Sequence, residues 1–329
     1  MQKIKLWFTD FYEGFEIENN YFFNLLKKTY NVELDQRSPD YLIYSCYGSE
    51  FLKYNCIRIY YTGENLVPDF NLCDYAIGFH YLEFHDRYLR FPNFALFKDQ
   101  FKKLIKPLNS VHSESISKEH FCNFIYANSE ADPARDDFFN LLNKYKKVSS
   151  PGRHLNNLRI NVGERFSKDW MYTKIQFQSS CKFSIAFENS SSPGYTTEKL
   201  LHAFISNTIP IYWGNPEVTK DFNPKAFIIC HEYPNFEEVV KKIKEIDNDD
   251  ELFISILNEP PFRNNSVPDN LKTDNLNKFL ANIFDQELSD AFRRPNYGTT
   301  RKYENNLKGL VKLKNKMKPV INLISKLKN

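Results

Sequence analysis

Between Phe183 and Gly214 the chain reads FSIAFENSSSPGYTTEKLLHAFISNTIPIYWG, and Glu188, Asn189, Tyr195, Glu198 and Lys199 stand between two apolar runs. The run KFSIAF (182–187) predicts a buried strand, with Glu188 and Asn189 at its carboxyl end. Thr196 or Thr197 can cap a helix reaching about Asn207, which puts Glu198 and Lys199 in its first turn. Leu200, Leu201, Phe204 and Ile205 supply the stripe that this helix buries. A helix N-terminus at the carboxyl edge of a sheet attracts anions, and a lysine there adds a point charge, so a diphosphate-bearing ligand suits this corner. The same spacing also permits a plainer arrangement: Glu198 complements the helix dipole, Lys199 is solvated and Asn189 closes a turn.

Two other stretches hold comparable chemistry. In IYYTGENLVPDF (59–70) a strand ends, Gly63 permits a sharp turn, and Glu64 and Asn65 follow at the strand's carboxyl end. A carboxylate so placed could serve as a general base, or could be a polar loop tip. In ANSEADPARDDFF (127–139) Arg135 opens a helix beside Asp132, Asp136 and Asp137, able to grip phosphate oxygens or to join a surface ion-pair cluster. Other signals carry less. The acidic triplet at 247–249 follows a charged helix and reads as a solvated helix end. His80 and His85 lack companions at metal spacing, and His202 is expected on the outer face of its helix. No G-x-G-x-x-G, G-x-S-x-G or Walker loop occurs.

The elements that must hold these residues alternate along the chain. IKLWF, YLIYS, IRIYY and YAIGF (4–8, 41–45, 57–61, 75–79) predict strands, and YFFNLLKKTY (21–30) a helix. A second series follows: a strand at 121–127, a helix from Asp132 to Lys146, the strand 182–187, the helix just described, strands 209–213 and 226–230, and a helix over 235–246. This alternation argues for two α/β domains with largely parallel sheets, and a length of 329 residues agrees with two. In such sheets ligands bind beyond the carboxyl ends of the strands, and between two domains the cleft is the default site. The patternless stretch 98–120 is the expected linker, giving domains over 1–118 and 119–290 and a tail over 291–329.

Composition bounds the class. Six scattered cysteines without C-x-x-C predict buried, reduced thiols in a cytoplasmic protein and no zinc site. No stretch approaches the roughly 20 apolar residues of a membrane span. The net charge of +3 conceals a contrast: residues 301–329 hold nine Lys/Arg and one acid, +8, leaving −5 for the rest. Within that tail Leu310, Leu313, Met317, Val320, Ile324 and Leu327 recur at spacings of 3 and 4 with lysines around them, and Pro319 should bend the helix. A basic amphipathic helix of this kind suits an anionic membrane surface.

Together these residues resemble a known family. FENSSSPGYTTEKLLHAFISNTIPIYWGNPEVTKDFNPKAFI is similar to the donor-binding signature of family 10 glycosyltransferases, the α1,3/4-fucosyltransferases, in their bacterial, Helicobacter-like form. YYTGENLVPDFNLCDYAIGFHYLEFHDRYLRFP resembles the acceptor-domain signature, and the blocks between them match in order over roughly 55–285. The resemblance implies a GT-B fold, two Rossmann-like domains facing a cleft, with acceptor on the first and GDP-fucose on the second. It implies Glu64 as the base, Arg135 and Lys199 on the diphosphate, and Asn189, Tyr195 and Glu198 on the nucleotide sugar, Glu198 nearest the fucose. It implies inversion, no required cofactor and at most a stimulatory divalent ion. The expected product is an α1,3-fucosylated, Lewis x-like N-acetyllactosamine glycan, on lipopolysaccharide, formed by an enzyme in the cytoplasm or peripheral on the inner membrane face through 301–329, with no nucleic-acid partner. Another GDP-sugar or an α1,4 linkage is the rival; a non-enzymatic glycan- or membrane-binding protein fits poorly, because the five donor positions and Glu64 occur together. The membrane anchor and stem of eukaryotic members and the heptad repeats of some Helicobacter enzymes are not expected, and residues 1–55 match weakly.

Overall fold

The computed structural model describes residues 1–105, 117–163 and 169–327. They form two compact units. Unit one comprises Met1–Gly78, Leu82–Leu89 and the chain from Leu276 onward; unit two comprises Phe79–Tyr81 and Arg90–Asn275.

In the first unit, β1 (Lys3–Thr9), α1 (Tyr21–Leu26), β2 (Asn31–Leu34), β3 (Tyr41–Tyr44), β4 (Ile57–Tyr61), β5 (Tyr75–Gly78) and β6 (Tyr88–Arg90) build a sheet in the order β2-β1-β3-β4-β5-β6. The pairs from β2 to β5 are parallel. Aromatic and β-branched residues make β3, β4 and β5 buried along their whole length, as strands covered on both faces must be. Asn20 caps α1 by accepting from the Phe23 N–H.

The second unit holds β7 (His120–Asn123), α2 (Ala134–Tyr145), β8 (Val148–Ser149), α3 (Trp170–Ser179), β9 (Cys181–Phe187), α4 (Glu198–Ile205), β10 (Ile209–Trp213), β11 (Ile228–Ile229), α5 (Phe236–Asp247) and α6 (Asp250–Asn258). Its strands run β11-β10-β9-β7-β8, every pair parallel. The order reverses direction at β7, so the loops after β7 and β9 flank the point where doubly wound sheets bind ligands. Phe138, Leu142, Phe183, Phe187, Ile211, Val239 and Ile243 belong to its core. Asn235 and Asp249 cap α5 and α6.

After α7 (Thr273–Phe284) and α8 (Leu288–Ala291), the helix α9 (Gly298–Leu327) ends the described chain. The units divide elsewhere than the expected boundaries at 118 and 290. Within the expected linker, 106–116 lie outside the described residues, but Asn93–Lys103 form a 3-10 segment that packs on α4. Phe94 and Phe101 meet Phe222 and Phe262 at ring separations of 5.0 and 5.4 Å, so the second core captures this segment. From Leu276 the chain rejoins the first core, where Phe284 meets Tyr41 at 4.6 Å and Phe279 meets Tyr75 at 6.1 Å.

Nor is 291–329 a free tail. The Arg293 and Arg294 N–H groups donate to the buried Asp74 at 2.9 and 2.8 Å, and the Arg294 guanidinium pairs with the same carboxylate. Leu307 and Val311 of α9 pack on the first-unit core, and Glu304 pairs with the buried Arg58 at 2.9 Å. The expected stripe begins on an adjacent, open face: Leu310, Leu313 and Met317 are 63, 55 and 46% exposed. Val320, Ile324 and Leu327 lie outside the described side chains. The helical backbone continues through Pro319.

Candidate active site

In the second unit the polar residues between β9 and β10 form one buried network. Glu188 leaves β9 fully buried and accepts from the Thr197 N–H and hydroxyl, both at 2.7 Å, and from Lys199 Nζ at 3.0 Å. Glu188 thus braces the N-terminus of α4, doing by carboxylate what a capping side chain does elsewhere; Thr197 is the cap residue but makes no side-chain capping bond. Burial raises the Glu188 carboxyl above its ordinary range. Burial also works against the Lys199 ammonium, but Glu188 and Glu198 outweigh it and hold Lys199 well above its usual value. Lys199 is therefore an ion-paired lysine rather than a solvated one.

Backbone geometry makes this packing possible. Gly214 has φ +146°, and a Cβ there would fall 2.5 Å from Glu188 Cγ; Gly194 has φ +86°, and a Cβ there would lie 2.4 Å from the Phe79 carbonyl oxygen. Asn215, which sequence reasoning passed over, accepts from the Gly194 N–H at 2.7 Å and donates to Thr196 Oγ1 at 3.1 Å. Tyr195 is buried, its ring 5.0 Å from Phe79. Asn189 is half-buried, and its carbonyl accepts from the Asp132 N–H at 2.8 Å, joining the loop after β9 to the start of α2.

Arg135 sits at that start. It is 1% exposed, lies 4.4 Å over the Tyr126 ring, and donates from Nη2 to the Asn128 carbonyl at 2.5 Å. Its Nε and Nη1 make no hydrogen bond among the described residues, although Asp136 lies 3.7 Å from Nε. A buried guanidinium with two unsatisfied nitrogens fits an oxyanion ligand. Tyr126 stands between the cations: its hydroxyl accepts from the Phe187 N–H at 2.7 Å, and it feels Arg135 and Lys199 together.

Behind the network lies a cluster absent from the sequence reading. α3 and α4 pack side by side, with Gln178 receiving the Ser206 hydroxyl at 3.4 Å; one turn earlier stands Lys174, whose charge acts on Glu198 and His202. Burial draws Lys174 down to about 8 against the opposing pull of Glu198. Burial alone would raise Glu198, but Lys199 and Lys174 outweigh it and hold the carboxyl at about 2. His202 corrects the expectation of an outward histidine. It is 0% exposed, faces Trp170 and Phe97 at ring separations of 5.6 and 5.8 Å, and burial with Lys174 beside it takes it down to about 3. The signal for Lys174 was the pair Lys174 and Gln178 at i, i+4 in a helix without a continuous apolar stripe.

In the first unit, Glu64 follows β4. Its N–H donates to Thr62 Oγ1 at 3.0 Å, and the Tyr47 hydroxyl donates to its Oε1 at 2.7 Å. The turn at Gly63 needs no positive φ. Asp247, expected to be solvated, is buried against Lys146 and Lys182, at 3.0 and 3.1 Å, while Asp249 caps α6. Among the described residues no group of three His, Cys, Asp or Glu has metal-binding geometry.

Two doubly wound α/β units, one with a buried guanidinium and an ion-paired lysine at the carboxyl edge of its sheet and the other with a carboxylate at a strand end, give a fold of the GT-B type. The chain belongs to glycosyltransferase family 10: residues 6–97 match the "Alpha-(1,3)-fucosyltransferase FucT N-terminal domain" and 115–258 the "Glycosyltransferase family 10 (fucosyltransferase) C-term". It is 35% identical to the "Alpha-(1,3)-fucosyltransferase FucT" of Helicobacter pylori over 75% of this chain and 57% of that protein. It is 30% identical to the Homo sapiens "4-galactosyl-N-acetylglucosaminide 3-alpha-L-fucosyltransferase 9" over 43% of this chain and 37% of that one. The chain thus spans little more than half the length of these curated relatives at most. A crystal structure of an α1,3-fucosyltransferase with GDP-fucose superposes with a TM-score of 0.72 at 29% identity, covering 87% of this chain and 92% of the other.

Proposed function

We propose that the chain is an inverting α1,3-fucosyltransferase that moves fucose from GDP-fucose to the GlcNAc hydroxyl of an N-acetyllactosamine-type glycan. The observation that carries this reading is Arg135: a buried, partly unsatisfied guanidinium at the carboxyl edge of a parallel sheet, linked through Tyr126 to Lys199. That arrangement suits a nucleoside diphosphate, and relatives named for fucosyl transfer from GDP-fucose supply the sugar.

In this reading the acceptor oxygen attacks the anomeric carbon, the bond from that carbon to the diphosphate oxygen breaks, and Glu64 takes the hydroxyl proton. Charge accumulates on GDP as the sugar becomes oxocarbenium-like. Arg135, Lys199 and the first N–H groups of α4 stabilise the leaving diphosphate. Glu198, held ionised, faces the developing positive charge, while Asn189 and Tyr195 position the nucleotide sugar. No step requires a metal. The test is linkage analysis of products from GDP-fucose with type 1 and type 2 acceptors. Fucose at O3 of the type 2 GlcNAc supports the reading. Turnover with GDP-mannose but not GDP-fucose, or O4 linkage alone, overturns it.

A second proposal concerns location. We propose that the enzyme acts peripherally on the inner membrane leaflet, on lipopolysaccharide-type acceptors; the support is the exposed Leu310, Leu313 and Met317 among Lys312, Lys314 and Lys316, a face suited to an anionic bilayer.

A further inference from the structure

Lys174 is absent from the set of residues assigned to the reaction, yet it occupies an unusual place. Fully buried lysines are rare unless paired, because removing an ammonium from water is costly. Lys174 is 7% exposed. Its position follows from helix register. Gln178 of α3 receives a hydrogen bond from Ser206 of α4, and α3 and α4 both lead into parallel strands that pair with each other. One turn back from Gln178 stands Lys174; one and two turns back from Ser206 stand His202 and Glu198.

The charges that act on Lys174 are Glu198, Lys199 and Glu188, and its own charge acts on the imidazole of His202. Their balance defines its role. Lys199 is shared between Glu188, to which it is ion-paired at 3.0 Å, and Glu198, so a single ammonium serves two buried carboxylates. His202 carries no charge near neutral pH, and both its ring nitrogens lack a hydrogen-bond partner among the described residues. Lys174 is the remaining cation, and with it the buried group of two carboxylates and two ammoniums is neutral.

We infer that Lys174 is a positioning residue for the transfer reaction, the counter-charge that keeps Glu198 ionised and held where positive charge develops on the sugar. The inference rests on the fucosyl-transfer reading above. Lys174 acts through Glu198 and need not touch the diphosphate, so its removal changes turnover more than donor affinity. Its own proton is the control point. Above about pH 8 the buried lysine becomes neutral and Glu198 keeps only its share of Lys199. An arginine at this position stays charged throughout.

The experiment compares the wild-type chain with Lys174→Met and Lys174→Arg, using GDP-fucose and a type 2 acceptor. Lys174→Met should lower kcat by about tenfold to a hundredfold while KM for GDP-fucose moves by less than about threefold. Wild-type kcat/KM for GDP-fucose should fall above about pH 8, and Lys174→Arg should keep its plateau to higher pH. Independently of turnover, carbon-13 NMR of the Glu198 carboxyl should show its titration rise from about 2 toward the ordinary range in Lys174→Met. A loss confined to KM, an unchanged kcat in Lys174→Met, or the same alkaline limb in Lys174→Arg overturns the assignment. If Lys174→Met does not fold, the Lys174→Arg profile decides. A wild-type chain that transfers no fucose overturns the reading of function instead, and the Glu198 titration then still decides whether the two residues are coupled.

Discussion

Glu64 and Arg135 make separable demands on kinetics. Tyr47 fixes one oxygen of Glu64 by a 2.7 Å hydrogen bond, so Glu64→Gln retains shape and a partner while losing the ability to accept a proton. As a general base, its loss should lower kcat by about 10²- to 10⁴-fold and leave GDP-fucose affinity within about threefold, measured by single-turnover transfer and calorimetry. Substantial transfer by that variant removes Glu64 from the role. Arg135→Ala should do the reverse in kind. It removes the buried guanidinium over Tyr126, so the Kd for GDP should rise by about tenfold or more. Unchanged GDP binding would show that the unsatisfied nitrogens serve something else. Both residue types were legible in the sequence. The ion pair that commits Lys199 to Glu188 was not, because the partners are eleven positions apart and meet only through the turn that Gly194 and Gly214 permit.

At the scale of elements, α4 is held at its N-terminus by Glu188 and by the loop that Asn215 braces. Gly194→Ala would drive a Cβ to 2.4 Å from the Phe79 carbonyl, a backbone group that cannot rotate away. It should lower the melting temperature and weaken GDP binding together; a variant that binds GDP normally would show that the loop is not part of the site. A second element-scale lock is Asp247, which joins the end of α5 to α2 through Lys146 and to β9 through Lys182. Burial alone would raise this carboxyl, but the lysine partners outweigh it and hold it below its ordinary value. A carboxyl depressed in the fold contributes stability above its unfolded pKa of about 4 and loses it as pH falls through the folded value. The melting-temperature gap between wild type and Asp247→Asn should therefore narrow from about pH 5 to pH 2. A constant gap would assign the effect to packing. The residues around Asp247 were misread as a solvated helix end because local charge density says nothing about which lysines fold back onto it.

For the whole molecule, α9 is both part of the first unit and a candidate membrane element. Cutting at Tyr303 would strip Glu304 from the buried Arg58 and remove Leu307 and Val311 from the core. Cutting after Lys312 spares those contacts and removes Leu313, Met317 and most of the basic residues. The shorter cut should abolish binding to anionic vesicles with the melting temperature and turnover on a soluble acceptor unchanged; the longer cut should also lower the melting temperature. Vesicle binding retained after the shorter cut would remove the membrane proposal.

By itself the sequence determined the class of fold, most strand and helix positions and the family, because strand and helix periodicity and long motif blocks are local properties of the chain. It also placed Glu64, Glu188 and Asn189 at strand ends and Glu198 at a helix start, as later seen. Tertiary structure alone decided the rest: that the chain crosses between units near residues 79–90 and rejoins the first at Leu276, that Glu188 is a brace, and that His202 is buried. It alone set Lys174 facing Glu198. The physical reason is the same in each case. These outcomes depend on which distant surfaces pack together, and burial then decides the charge and partner of every ionisable group caught between them.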